Sequence, residues 1–170
     1  MNILKFFTSK TEKGVDKMRD KREKELNGPM TQSIKITGGL KLTGKDKTGR
    51  ILFVKKQKNL ITNDGFDLIC DVIANNTQPD DISHIAIGTG VAGDATATAL
   101  TAETDRQTGT YAHSTGTKAF TFTADFTAVS SGTEYGCFNS SGDGKLLNTA
   151  GFSSITVDTL QIETTFTLSP

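Results

Sequence analysis

The sequence predicts a mainly β protein: an antiparallel β-sandwich-like domain with one short helix, preceded by a charged N-terminal helical arm. Three observations lead there. Residues 120–126 and 160–168 alternate between an apolar and a polar set of side chains. Hydrophobic residues make up only 35 % of the 170, Trp is absent, and Thr, Gly, Ser and Ala fill the gap, a composition suited to thin sheets with many turns. The composition also changes sharply at Asn27-Gly28-Pro29, which divides an arm over residues 1–29 from a body over residues 30–170.

The arm is dense in charge. Lys10, Lys13, Lys17, Arg19, Lys21, Arg22 and Lys24 intermix with Glu12, Asp16, Asp20, Glu23 and Glu25, and Asp16–Arg19 and Asp20–Lys24 pair at helical spacing. Between Thr11 and Leu26 the large apolar residues are Val15, Met18 and Leu26, a weak stripe on a solvated helix. Phe6 and Phe7, with Val15 and Met18, are the residues expected to dock on a partner protein, in the manner of a helix laid into a groove. The acids offset most of the basic charge, and no aromatic side chains interleave with it, so nucleic acid is not the expected partner.

Beyond Pro29 the pattern becomes β. Ser33–Thr43 and Arg50–Lys56 are expected strands joined by the polar turn Gly44–Gly49. Asn63 or Asp64 is placed to cap the one clear helix, with Phe66, Ile69, Cys70 and Ile73 on its apolar face. Ser83–Ile87 reads as a short strand followed by a Gly/Ala/Thr loop to about Thr98. Phe120, Phe122, Ala124 and Phe126 share one face, and Leu160, Ile162, Thr164, Phe166 and Leu168 share another, as in sheets buried on one side. Between them Tyr135–Asn139 and Lys145–Phe152 flank the hairpin turn Ser140–Gly144. Phe122, Phe138 and Phe166 are expected to meet in one core.

Function classes narrow by exclusion. The formal net charge is zero, with 22 % charged residues, which singles out neither nucleic acid nor membrane as a partner. No apolar run approaches the ~20 residues of a membrane-spanning helix, and Ile3-Leu4 with Phe6-Phe7, broken by Lys5, is too short for a signal-peptide core. Cys70 and Cys137 match no ligand or redox spacing and read as two buried thiols. Gly88-Thr89-Gly90-Val91-Ala92-Gly93 spells GxGxxG after a strand, but the following Asp94–Thr104 has no apolar helical face, so the dinucleotide-binding context is missing. His84 and His113 lack metal-ligand spacing, and Asp80, Asp81 and Asp143 lack the stepped ladder of a calcium loop. No nucleophile elbow frames any Ser or Thr. The expectation is therefore no catalytic, cofactor-binding or metal residue.

Three motifs stand in order: Asn59-Leu60-Ile61-Thr62-Asn63-Asp64-Gly65, then Ser83-His84-Ile85-Ala86-Ile87-Gly88-Thr89-Gly90, then Glu134-Tyr135-Gly136-Cys137-Phe138-Asn139. Over about residues 34–168 this order resembles a family of small tailed-phage virion proteins, of the tail-fibre-like, minor structural or head-decoration kind. Cys137 stands where that pattern usually has Leu, and the arm lies outside the resemblance. The resemblance implies a non-enzymatic virion component, made in the host bacterial cytoplasm, in which Asn63, Gly65, Gly88, Gly90, Glu134, Gly136, Phe138 and Asn139 are structural. Its expected partners are other virion proteins (the major capsid protein, or tail and neck proteins) together with copies of itself. A small core and short length favour an accessory protein decorating the capsid through its arm. A tail, neck or baseplate fibre component and a host-surface glycan-binding module are the alternatives.

Overall fold

The computed structural model describes residues 33–74 and 80–170. Two units divide at Ser33 and Ile34, and the fold is that of the second. The expectations for the helical arm, including Phe6, Phe7, Val15 and Met18, lie outside the described residues.

Among the described residues eight strands and one helix follow in order: β1 (Lys35–Lys45), β2 (Ile51–Lys58), β3 (Leu60–Ile61), α1 (Asn63–Ala74), β4 (His84–Gly88), β5 (Glu103–Thr108), β6 (Thr110–His113), β7 (Ala119–Phe138) and β8 (Leu146–Ser169). All pairings are antiparallel, in the order β2-β1-β8-β7-β4-β5, with β3 added to β8 and β6 to β7. The mainly β, antiparallel expectation is met.

The pair β7–β8 organises everything else. β7 has 20 residues and β8 has 24, and their register slips between Val129 and Gly132 and again before Glu134. Ala128 and Ser131 take positive φ there, at 52° and 55°, conformations that side chains ordinarily avoid. Such bulges bend a strand and sharpen its twist, so the hairpin folds across itself and serves two layers. Its open-end half, Ala119–Thr127 with Thr159–Thr167, joins β1, β2 and β6. Its turn half, Glu134–Phe138 with Leu146–Gly151, joins β3, β4 and β5.

The alternation read in the sequence is the inner lining of these layers. Phe122, Ala124, Phe126, Leu160, Ile162 and Phe166, with Leu40 and Leu42, pack against Ile85, Ile87, Tyr135, Cys137, Leu147 and Ala150 in one buried cluster. A polar tie crosses the same core. The Tyr135 hydroxyl donates to Asn148 Oδ1 (2.5 Å), Asn148 Nδ2 donates to Thr164 Oγ1 (3.2 Å), and Asn59 Nδ2 donates to the same hydroxyl (3.0 Å). Buried polar groups that find partners in this way avoid a desolvation cost of about 1–3 kcal/mol each.

Phe138 belongs elsewhere, a correction to the shared-core expectation. It packs with Ala86, Leu100 and Leu146 in a second cluster. The reason is strand parity. Tyr135 and Cys137 face the sandwich core, so Glu134, Gly136 and Phe138 face the opposite side of the second layer, where residues 89–102 cover them.

Helix α1 docks by a face turned from the one its apolar spacing predicts, and of that expected face Ile69 packs against the core. Gly65 and Leu68 are buried, whereas Phe66 is 46 % and Ile73 is 73 % exposed, and Cys70 is exposed rather than buried. A Cβ on Gly65 would stand 2.1 Å from the Leu147 carbonyl oxygen, so the bare glycine side lets the helix sit directly on β8. The cap is also corrected. Thr62 Oγ1 accepts the Gly65 N–H (3.0 Å) and donates to the Leu146 carbonyl, so Thr62 does the work assigned to Asn63 or Asp64. Strands β5 and β6 lie in a stretch where the sequence pattern predicts no strand. The β1–β2 turn falls where expected: Gly49 (φ 84°) donates to the Asp46 carbonyl at 2.9 Å.

Candidate functional site

The three motifs converge on the outer face of the second layer. Glu134 is wholly buried. Its Oε1 accepts the backbone N–H of Ala102 (2.7 Å) and of Gly90 (3.0 Å), and its Oε2 accepts that of Thr101 (3.1 Å). One carboxylate thus holds both ends of the loop that leaves β4 and returns as β5. Thr133 Oγ1 donates to the Gly90 carbonyl (2.6 Å), Thr101 Oγ1 to the Val91 carbonyl (2.7 Å), and the Thr89 N–H to the Ala102 carbonyl (2.9 Å).

The glycines are required by space. A Cβ on Gly88 would lie 2.4 Å from the Ala102 oxygen, and one on Gly90 would lie 2.5 Å from Glu134 Oε1. Positive φ is not the reason at either position, since among the described glycines it belongs to Gly49 and Gly116. Gly136 leaves room in the same way: a Cβ would meet Leu146, Phe138 and Leu100 within 3.0 Å. The third motif ends at Asn139, whose Oδ1 accepts the Lys145 N–H (2.7 Å) and closes the β7–β8 turn. Asn63 contributes its backbone: its N–H donates to the Ala95 carbonyl (2.7 Å), which fastens the helix start to the same loop. All the expected motif residues from Asn63 to Asn139 therefore sit in one connected region.

This geometry answers the GxGxxG question. A phosphate cradle needs backbone N–H groups aimed at open space at a helix N-terminus. Here the Thr89 and Gly90 N–H groups are already bonded within the protein, a turn and not a helix follows, and β4 lies between two antiparallel neighbours. A buried carboxylate sits where the phosphate charge would go.

Arg106 was not foreseen. It stacks its guanidinium 3.7 Å above the Phe138 ring and pairs both carboxylate oxygens of Glu103 (2.8 and 2.7 Å). Its Nη1 donates to the carbonyls of Ser140 (2.9 Å) and Gly142 (2.6 Å). It therefore clamps the hairpin turn onto β5. Glu103 is only three positions away, but the contacts that make the clamp, to Phe138, Ser140 and Gly142, join residues more than thirty positions apart, and local sequence does not mark them.

The remaining candidates are structural in their surroundings. His84 Nδ1 lies 2.8 Å from Ser83 Oγ, and His113 Nδ1 donates to the Ala119 carbonyl (2.7 Å). Burial pushes the Cys137 thiol up to about 12 and the Tyr135 hydroxyl well above its ordinary value. Asp46 and Asp94 are held below the usual carboxylate range, chiefly by the hydroxyls of Thr48 and Thr96. Among the described residues no group of three His, Cys, Asp or Glu side chains could hold a metal ion. Two open grooves, of about 440 and 580 Å³, flank the Lys58–Leu60 crossing between the layers, and the titratable side chains lining them are Lys35 and Lys58. No described helix is long and apolar enough to cross a membrane.

What the arrangement can do is hold a loop and a turn rigidly against a sheet. Comparison with protein-family models, with curated proteins and with solved structures yields no match to this chain.

Proposed function

We propose that this chain is a non-enzymatic structural protein of a tailed-phage virion, an accessory protein that decorates or anchors on the capsid through its N-terminal arm. The observation that supports this reading is how the motif residues are used. Glu134, the one buried acid among the described residues, spends both oxygens on three backbone N–H groups of one loop. The glycines around it admit those contacts. A chain whose polar motifs all serve rigidity presents its outer surfaces to partners, as a building block does. The exposed apolar side chains Ile51, Leu52 and Val54 on an outermost strand suit a protein that meets others.

Copy number in purified particles tests the reading. Quantitative mass spectrometry of virions from the phage encoding this chain should find it at capsid-like abundance, in the hundreds. A few copies would move it to the tail, neck or baseplate, and absence from the particle would end the proposal.

A further inference from the structure

We propose that β2 accepts an acidic extended segment of a partner protein as an added antiparallel strand, over its regular stretch Phe53–Lys58. Charge is segregated in this chain. The β1–β2 hairpin, residues 35–58, holds eight Lys and Arg residues and one acid, whereas residues 59–170 hold three and thirteen. A chain that is neutral as a whole thus concentrates positive charge on one hairpin, a field that draws acidic partners. In the sheet order β2 is the terminal strand of that hairpin, bonded to β1 alone among the described residues. Its outer edge is open to β-strand addition.

Part of the charge already has partners. Arg50 pairs with Asp46 (3.0 Å) and Lys41 with Glu163 (3.4 Å). Lys55, Lys56 and Lys58 are exposed, and no carboxylate among the described residues lies within ion-pair distance of them. These three line the open edge. Strand parity puts Lys56 and Lys58 on the outer face with Val54, and Lys55 on the inner face with Phe53 and Gln57. Lysines on both faces repel another basic strand, and an acidic one neutralises them on both.

The backbone fixes where the added strand bonds. The β1–β2 register slips between Gly44 and Lys45 and leaves Leu52 without a partner, so the regular ladder runs over Phe53–Lys58. The Asn59 N–H donates to the Gly38 carbonyl (3.3 Å), and alternation from that pair turns Gln57, Lys55 and Phe53 toward β1. Val54, Lys56 and Lys58 therefore direct their N–H and C=O groups outward. An antiparallel mate sets acids opposite Lys58, Lys56 and Lys55, and apolar side chains opposite Val54 and Phe53. Val54, 49 % exposed, gains cover, and the free backbone edge suits a peptide. Nucleic acid is disfavoured, because β2 exposes no aromatic side chain for base stacking. The other edges are unsuited: β6 has four residues, and β5 carries Glu103 and Asp105. Strand addition is independent of the virion reading, and either can fail with the other standing.

Titration of the full chain with the end-blocked peptide Thr-Glu-Thr-Glu-Glu-Val-Val-Thr, followed amide by amide in NMR spectra at low ionic strength, tests it. Saturable shifts of the Val54, Lys56 and Lys58 amides are expected, weakening as salt is added. N-methylation of the peptide's second glutamate, whose N–H faces the Lys56 backbone, should abolish binding. The same change at the third glutamate, whose N–H faces away, should leave it intact. Lys56→Glu should weaken the peptide roughly tenfold, and a peptide with Lys at its second glutamate should recover the loss. The two N-methyl peptides are read on the parent chain, so the folding of a variant does not enter. No saturable shift in the parent, equal binding of the two N-methyl peptides, or no recovery by the charge-swapped peptide would each overturn the proposal. So would a thymidine oligonucleotide that displaces the peptide from the same amides.

Discussion

Glu134 accepts the Gly90 backbone N–H at 3.0 Å from a side chain with no exposure to solvent. This contact ties the second motif to the third, since the glycine must be bare for the carboxylate to reach it. Replacing Glu134 by Gln sets an NH2 group against a backbone N–H, and replacing it by Ala leaves three N–H groups without an acceptor. The expected losses are about 1–3 kcal/mol for Gln and more for Ala. Urea midpoints should order parent, Gln and Ala in that sequence. An Ala variant as stable as the parent would mean that the loop is held by something else.

The same contact predicts which glycines tolerate a methyl group. Gly90→Ala and Gly88→Ala force a Cβ into atoms 2.4–2.5 Å away and should each cost about 1–3 kcal/mol. Gly142→Ala meets nothing within 4 Å and should be close to neutral. Thermal melts of the three variants would check the contrast.

The two thiols should behave oppositely. Cys70 is exposed and Cys137 is buried with its thiol pushed up to about 12. A chromogenic disulfide reagent at neutral pH should modify one thiol promptly and the second only on unfolding. Prompt modification of both in the folded chain would contradict the sandwich core drawn around Cys137.

Alkaline pH should weaken the fold. Cys137 is raised above its ordinary 9.0 and Tyr135 above its ordinary 10.0, both by burial, so the folded state keeps protons that the unfolded chain releases. The stability carried by the neutral forms is full below about pH 9 and declines as pH rises toward the folded values. Urea midpoints should fall from pH 8 to pH 10.5, and Cys137→Ala should fall less steeply. A parallel decline in both chains would exclude the thiol as a contributor.

Phe138 and Phe166 lie in separate clusters, Phe138 on the outer face of the second layer and Phe166 within the sandwich core. Each Phe→Ala change should cost about 3–5 kcal/mol, and the double variant should be additive within about 0.5 kcal/mol. A coupling energy well beyond that, read from denaturation of the four chains, would mean that the clusters are one.

The sequence by itself determined what rests on local periodicity. The alternation at Phe120–Phe126 and Leu160–Leu168 sets the faces of β7 and β8, because a strand turns successive side chains to opposite sides whatever surrounds it. The turns at Asp46–Gly49 and Ser140–Gly144 were legible for the same reason: their chemistry is contained within a few residues. Tertiary structure alone decided the rest. Alternation says that Tyr135 and Phe138 face opposite ways, but not that a loop from residues 89–102 would bury the outer side as well. Helix spacing offered the Phe66–Ile73 face, yet Gly65 won because close approach to the Leu147 carbonyl outweighs exposing larger side chains. Glu134, Arg106 and the Tyr135–Asn148–Thr164 tie join residues far apart in the chain, and no local pattern encodes which distant partner will satisfy a buried polar group.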